Sequence, residues 1–271
     1  MTRITDKVTL ESGRAWWNRV GADTSDPLTL DGYGQIARQG GRTLQRALTE
    51  DVRRKLGPLD GQRLLEVGCG AGAITAGLIR GSRAVIGVDF ALPMLRHARQ
   101  EAGGAAGFVA ADASALPFGD GAFDRVLCYS VFNNFPSLAF AATVTRELMR
   151  VTRPGGMVLI GQAPNADRKA AWSSAYAERF GGSAPSRLRT ALGACRQWAL
   201  RRMRAAGSLV GRPAPPSLAF LYFRPAFFQQ IVANAGHRCE ILPAYNLLEG
   251  SGQPATADYR LDIRITIMEP R

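Results

Sequence analysis

Leu64-Leu65-Glu66-Val67-Gly68-Cys69-Gly70-Ala71-Gly72 is the stretch that decides the fold. A short apolar run stops at three glycines spaced two apart, and a helical pattern follows at 74–79. Glycines at the end of a strand let the backbone approach a ligand and present amides from a helix N-terminus. Gly68, Gly70 and Ala73 satisfy Gly-x-Gly-x-x-Gly/Ala, a spacing that any nucleoside-binding turn, or an ordinary βα turn, could carry. Two acids sharpen it. Asp89 lies 17 residues past Gly72 and closes a second apolar run at 84–88, where a carboxylate can take both hydroxyls of a ribose. Glu66 stands two residues before the first glycine, where it can orient the loop or bind a cationic amine.

Outward from this stretch the pattern alternates. A helix is expected from about 92 to 100, strands at 107–110 and 123–129, a helix at 138–150 and a strand at 157–160. Asp112-Ala113 follows the third strand, placed for the edge of an adenine, and Arg153-Pro154-Gly155-Gly156 is a tight turn before the fifth. Repeated βα units with unalternated apolar strands mean a parallel sheet covered on both faces. The rhythm breaks after Gly161, where 165–216 reads as helical, basic and loop-rich. A helix at 225–235 and strands at 239–242 and 259–268 complete the chain. The last alternates Leu261, Ile263, Ile265 and Ile267 against Asp262, Arg264 and Thr266, as a half-exposed antiparallel strand near a sheet edge does. On the N-terminal side, Trp16, Trp17 and Val20 line one face of a short helix. A break begins at Gly21, and a second helix runs from Tyr33 to Leu56 before Gly57-Pro58.

Four pieces together resemble the class I S-adenosylmethionine-dependent methyltransferases, specifically the type 11 small-molecule group. They are LLEVGCGAG at 64–72, VDFALPMLRHA at 88–98, ADASALPFGDGAFDRVLC at 111–128 and LMRVTRPGGMVLI at 148–160. The resemblance implies an α/β fold: a Rossmann-like sheet, mostly parallel with the last strand antiparallel, and helices on both faces. An N-terminal helical segment and a basic helical insertion complete it. The expected domains are an N-terminal helical cap at 1–60, a cofactor-binding core at 61–164, a basic lid at 165–222 and a completion of the core sheet at 223–271.

The implied cofactor is S-adenosyl-L-methionine, with S-adenosyl-L-homocysteine as product. By the same resemblance Gly68, Cys69, Gly70 and Gly72 approach its methionine part and Glu66 supports its ammonium. Asp89 holds the ribose, and Phe90 lies against the adenine with Met94 nearby. Asp112 accepts from the adenine amino group, and the Ala113 amide meets a ring nitrogen. Cys128, Tyr129 and Ser130, at the end of the fourth strand, lie beside the reactive methyl, and Tyr33 closes over the cofactor. Tyr129, Asn133 and Asn134 are the catalytic candidates.

Composition excludes several other chemistries. His97 and His237 are the only histidines, and Cys69, Cys128, Cys195 and Cys239 lie 59, 67 and 44 residues apart, so no metal site is expected. His97 is expected to face solvent, and His237 to be a turn residue. No histidine follows the fourth strand, and Glu249 is a further polar alternative on a flank. A positioned neutral amine needs no strong base, whereas an alcohol or phenol benefits from one. The run Tyr129-Ser130-Val131-Phe132-Asn133-Asn134-Phe135-Pro136 lacks the Asn/Asp-Pro-Pro-aromatic turn usual in methylation of exocyclic base amines.

Net charge is +12, and 31 of the 34 basic residues are arginine. Residues 168–212 carry +9 of it, with Leu188, Leu192, Cys195, Ala199 and Met203 as a helical stripe among arginines. Surplus positive charge attracts anionic partners. Small acidic or carrier-protein-linked substrates rank first, RNA second and a membrane surface third. No run of eighteen apolar residues and no leader-like N-terminus is present, so a cytoplasmic protein is expected. The expected function is methyl transfer to oxygen or nitrogen of a small molecule, a specialised natural-product metabolite. The alternatives are an RNA or protein methyltransferase docking through the basic lid, and a protein of this fold without methyl transfer, such as a cyclase. Oligomeric state is not legible.

Overall fold

The computed structural model describes residues 10–23, 34–180, 221–246 and 256–270. Seven strands form one sheet: β1 (Arg63–Val67), β2 (Ala84–Asp89), β3 (Gly107–Ala110), β4 (Phe123–Tyr129), β5 (Thr152–Pro164), β6 (Arg238–Tyr245) and β7 (Thr256–Thr266). Their order is β3-β2-β1-β4-β5-β7-β6. The first five are mutually parallel, and β7 runs antiparallel between β5 and β6. This is the expected Rossmann-like sheet. The order reverses between the paired strands β1 and β4, so the loops that leave them diverge and open a crevice at their carboxyl ends.

Two cores explain why the strands do not alternate in polarity. On β4, Val126 and Cys128 enter one core, with Val144 and Leu148 of α5 (Leu138–Arg150) and Phe228 and Val232 of α7 (Pro225–Asn234). Leu127 and Tyr129 enter the other, beneath Leu44, Leu48, Val52 and Leu56 of α2 (Gly34–Leu56). Both faces of the strand are therefore apolar, which is the signature of a strand covered on both sides.

α1 (Leu10–Asp23) continues through Gly21, where a break was expected. A Cβ at Gly21 would lie 3.0 Å from the Met94 backbone nitrogen and from Pro93, so glycine there serves close helix packing, not chain reversal. α1 lies on α4 (Leu92–Ala102), which follows the short α3 (Thr75–Leu78) in the chain, and Trp17 and Val20 pack on Ala71, Ala91 and Met94. Trp16, expected on the same face, is outside that cluster. His97, expected to face solvent, places Nε2 3.0 Å from the Gly21 carbonyl and ties the end of α1 to α4.

The alternation in β7 also misassigns one residue. Asp262, read as solvent-facing, is fully buried. α2 covers that face, and Lys55 Nζ donates to Asp262 Oδ2 and to Asp51 Oδ2, both at 2.5 Å. Arg264 does reach a partially open surface, where it pairs with Glu240 of β6. α6 (Lys169–Phe180) begins the basic insertion. The whole of the expected lid stripe, from Leu188 to Met203, lies outside the described residues, as do Tyr33 and Glu249. No helix among the described residues is long and apolar enough to cross a membrane.

Candidate functional site

The crevice at the carboxyl ends of β1, β2 and β4 is a deep pocket whose free volume, including solvent at its mouth, is about 1130 Å³. Its floor is the glycine loop. Gly68, Gly70 and Gly72 all have positive φ, the left-handed region open to glycine. A Cβ at Gly68 would fall 2.3 Å from a Val131 methyl, so the loop can only turn here without a side chain. Gly72 is not part of the wall. It lies against Ala98 of α4, where an added Cβ would meet backbone at 3.1 Å. The amides of Gly68 and Cys69 donate to the Val88 carbonyl at 2.7 and 3.0 Å, tying the loop to β2.

Three carboxylates face this pocket, each held differently. Glu66 is buried beside the loop, and Thr75 Oγ1 donates to its Oε2. Asp89 accepts from the Ala91 amide at 2.8 Å on Oδ1 and from the Gly70 amide at 3.0 Å on Oδ2. Burial pushes its pKa above the usual carboxylate value, against the backbone donors that lower it. Each oxygen keeps further acceptor capacity. Asp112 accepts the Ser114 amide at 2.8 Å and the Ser114 hydroxyl at 2.7 Å on Oδ1, and Arg14 on Oδ2. Burial works against ionisation of Asp112, but the Ser114 donors and the Arg14 charge outweigh it and hold its pKa below the usual value.

The loop carrying Asp112 is itself anchored to α5. Glu147 accepts the Leu116 amide at 2.8 Å, and Arg150 donates to the Phe118 and Leu116 carbonyls at 2.9 and 3.2 Å. Ala113 and Phe90 complete this end of the wall, with Met94 and Cys69 behind.

The opposite end is apolar with few polar groups. Val131, Phe135 and Phe140 form the wall, and Ser130 and Asn134 supply polarity. Ser130 holds φ +59°, uncommon for a residue with a side chain, and its amide donates to the Gly161 carbonyl at 3.0 Å. Such backbone recurs at functional sites. Tyr129 reaches the pocket at the strand end, but its ring lies flat on Gly161 within the core under α2. Its hydroxyl is 3.4 Å from Gln162 Nε2. Asn133 is not in the wall; its Nδ2 donates to Asn134 Oδ1 at 3.0 Å, and its carbonyl accepts from Leu221. Cys128 is also outside the wall. Its parity on β4 turns it into the core shared with α5 and α7, where burial raises its thiol pKa.

Among the wall residues to which sequence reasoning gave no site role are Val131, Phe135 and Phe140, and Arg14 and Trp17 of α1. The amphipathic face was visible; the partner it covers was not. His237 lies just before β6, at the opposite edge of the sheet, and its Nδ1 accepts from the Met268 amide at 3.3 Å. Among the described residues, no cluster of histidine, cysteine and acidic side chains could hold a metal ion.

A pocket of this kind, with paired acceptors at one end and apolar walls at the other, suits a nucleoside-bearing ligand beside a second, less polar one. Comparisons with known proteins point the same way. Residues 65–160 match the family model described as a methyltransferase domain. Over 158 residues the chain is 34% identical to a malonyl-(acyl-carrier protein) O-methyltransferase of Erwinia pyrifoliae, covering 56% of this chain and 57% of that protein. Over 110 residues it is 41% identical to a demethylmenaquinone methyltransferase of Thermus thermophilus, covering 38% and 48%. The chain spans about half the length of the curated relatives it matches.

Among solved structures, magnesium protoporphyrin IX methyltransferase of Synechocystis with bound S-adenosylhomocysteine aligns with a TM-score of 0.58 at 15% identity, over 94% of this chain and 98% of that one. A phosphoethanolamine N-methyltransferase of Haemonchus contortus aligns with a TM-score of 0.62 at 13% identity, over 99% and 52%. At these identities the likeness is one of fold. Sheet order, glycine loop and family match together make residues 65–160 a class I S-adenosylmethionine-dependent methyltransferase domain of the type 11 family.

Proposed function

We propose that this chain is an S-adenosylmethionine-dependent methyltransferase whose acceptor is an oxygen or nitrogen of a small molecule, in natural-product metabolism and in the cytoplasm. The observation that carries the cofactor is Asp89. Both its oxygens are fixed by backbone amides and both keep lone pairs for two neighbouring hydroxyls. The rest of the pocket fits the same ligand. Glu66 takes the ammonium, Asp112 the adenine amino group and the Ala113 amide a ring nitrogen, while Gly68 and Gly70 leave room for the methionine part. When bound, the cofactor supplies a methyl group made electrophilic by a sulfonium. The chain's task is then to bring an acceptor into line and to exclude water.

Asn134 and Ser130 are the polar groups that align this acceptor among Val131, Phe135 and Phe140. Asn133 positions Asn134 through their 3.0 Å hydrogen bond, and Tyr129 forms the base of that wall. Asparagine cannot take a proton at neutral pH, so the reading favours acceptors that need little help from a base. The name of one relative includes a carrier protein, and residues 168–212 carry a net charge of +9, which supports an anionic or carrier-linked acceptor. The domains are proposed as a helical cap at 1–60, the core at 61–164, a basic lid at 165–222 and the closing strands at 223–271.

The test is incubation with methyl-labelled S-adenosylmethionine and a native extract separated by size, with Asp89→Ala as control. Label in the small-molecule fraction that the variant abolishes is expected. Label confined to RNA, or to protein in a form that cleavage of a carrier-linked small molecule does not release, contradicts the acceptor class and makes the basic segment their docking face.

A further inference from the structure

One wall of the pocket has no assigned role. Arg14 projects from α1 toward the end where Phe90 and Asp112 stand. Its guanidinium carbon sits 5.9 Å over the centre of the Phe90 ring, and it pairs with Asp112 Oδ2. Its Nε is buried and without a hydrogen-bond partner. A buried unsatisfied donor is costly, and a ligand acceptor relieves it. Asp112 has not spent its capacity on this pair. Ser114 fills two sites on Oδ1 and Arg14 one on Oδ2, out of about four on a carboxylate. One lone pair on Oδ2 remains, on the side of the pocket. Two stacked contacts need about 7 Å between flanking groups. The gap over Phe90 is therefore about one ångström short of holding a flat ring, within reach of a half-exposed arginine side chain.

We infer that Arg14 is the second face of a purine slot. Its guanidinium covers the base opposite Phe90, and its ion pair keeps Asp112 oriented toward the amino edge of the base. The inference rests on the reading of the pocket as an S-adenosylmethionine site and adds a binding residue from outside the matched domain, since α1 precedes residue 65. α1 is seated for this. Trp17 packs on Met94, and Gly21 permits close contact with Pro93 and Met94.

The test is calorimetric binding of S-adenosylhomocysteine and of 5′-methylthioadenosine, which shares the nucleoside and lacks the amino-acid end. Arg14→Ala, with its fold checked by circular dichroism, is expected to weaken both ligands by the same factor of about ten. Arg14→Lys keeps the charge without the planar face and is expected to recover only part of that loss. His97→Ala loosens the α1 tether without touching the slot and is expected to leave both affinities within about twofold. Unchanged or tighter binding in Arg14→Ala overturns the proposal. So does a loss confined to S-adenosylhomocysteine, or an equal loss in His97→Ala, which would make Arg14 a tether of the helix. If wild-type protein binds neither ligand, the cofactor reading itself fails, and the slot with it.

Discussion

Two aspartates on this sheet are pushed toward protonation by burial, and they sit in opposite company. Asp262 of β7 faces α2, where Lys55 and the Gln162 amide take its oxygens at 2.5 and 2.8 Å. Asp51 lies on the far side of Lys55, so the charges close on one another. Asp89 faces the pocket, where it accepts from the amides of Gly70 and Ala91 and only backbone donors lower its pKa. A buried charge with a fixed counter-ion belongs to the architecture. A buried charge oriented only by backbone donors keeps capacity for a ligand. The pairing of the first and the open valence of the second separate framework from site more sharply than burial does.

The largest expected effect falls on the framework. Asp262→Ala strands Lys55 against Asp51 alone and is expected to lower unfolding stability by about 3 kcal/mol in denaturant titrations. The fraction that remains folded should bind S-adenosylhomocysteine as the wild type does. A loss of affinity in that folded fraction would break the division between the two regions.

Smaller effects come from pH, with different signatures. Asp262 has its pKa raised by burial to about 6, against the pull of Lys55. An acid whose folded pKa is raised gives stability that is complete below its unfolded value near 4 and is lost as pH rises through about 6. Unfolding measured from pH 4 to 7 should show this decline, and Asp262→Asn should flatten it. For Asp89, ligand hydroxyls favour the charged form. Affinity for S-adenosylhomocysteine should therefore fall as pH drops through the raised pKa of Asp89. Titrations in Asp89→Asn should lose that dependence along with most of the affinity.

The core was legible because its signals are local. The glycine loop, the acid at the end of β2 and the apolar runs lie within short windows, and β4 occupies the residues expected of it. The missed features depend on what lies across space. Period-two alternation put Asp262 outward, because α2 and Lys55 cannot be seen from β7 alone. Cys128 stands next in chain to the pocket, yet strand parity turns it into the core. Trp17 read only as part of one apolar face of a helix and Arg14 had no reading at all, and only the packing of α1 on α4 shows that both residues close the pocket. His97 read as exposed because its partner, the Gly21 carbonyl, is 76 residues away.

The central claim is that Asp89 is the ribose anchor of a cofactor site. Calorimetric titration of S-adenosylhomocysteine into folded wild type and folded Asp89→Ala tests it most directly. Losing charge-assisted hydrogen bonds of about 1.5–3 kcal/mol should weaken binding by about one to two decades, with the thermal midpoint retained. Equal affinity in the two proteins would contradict it.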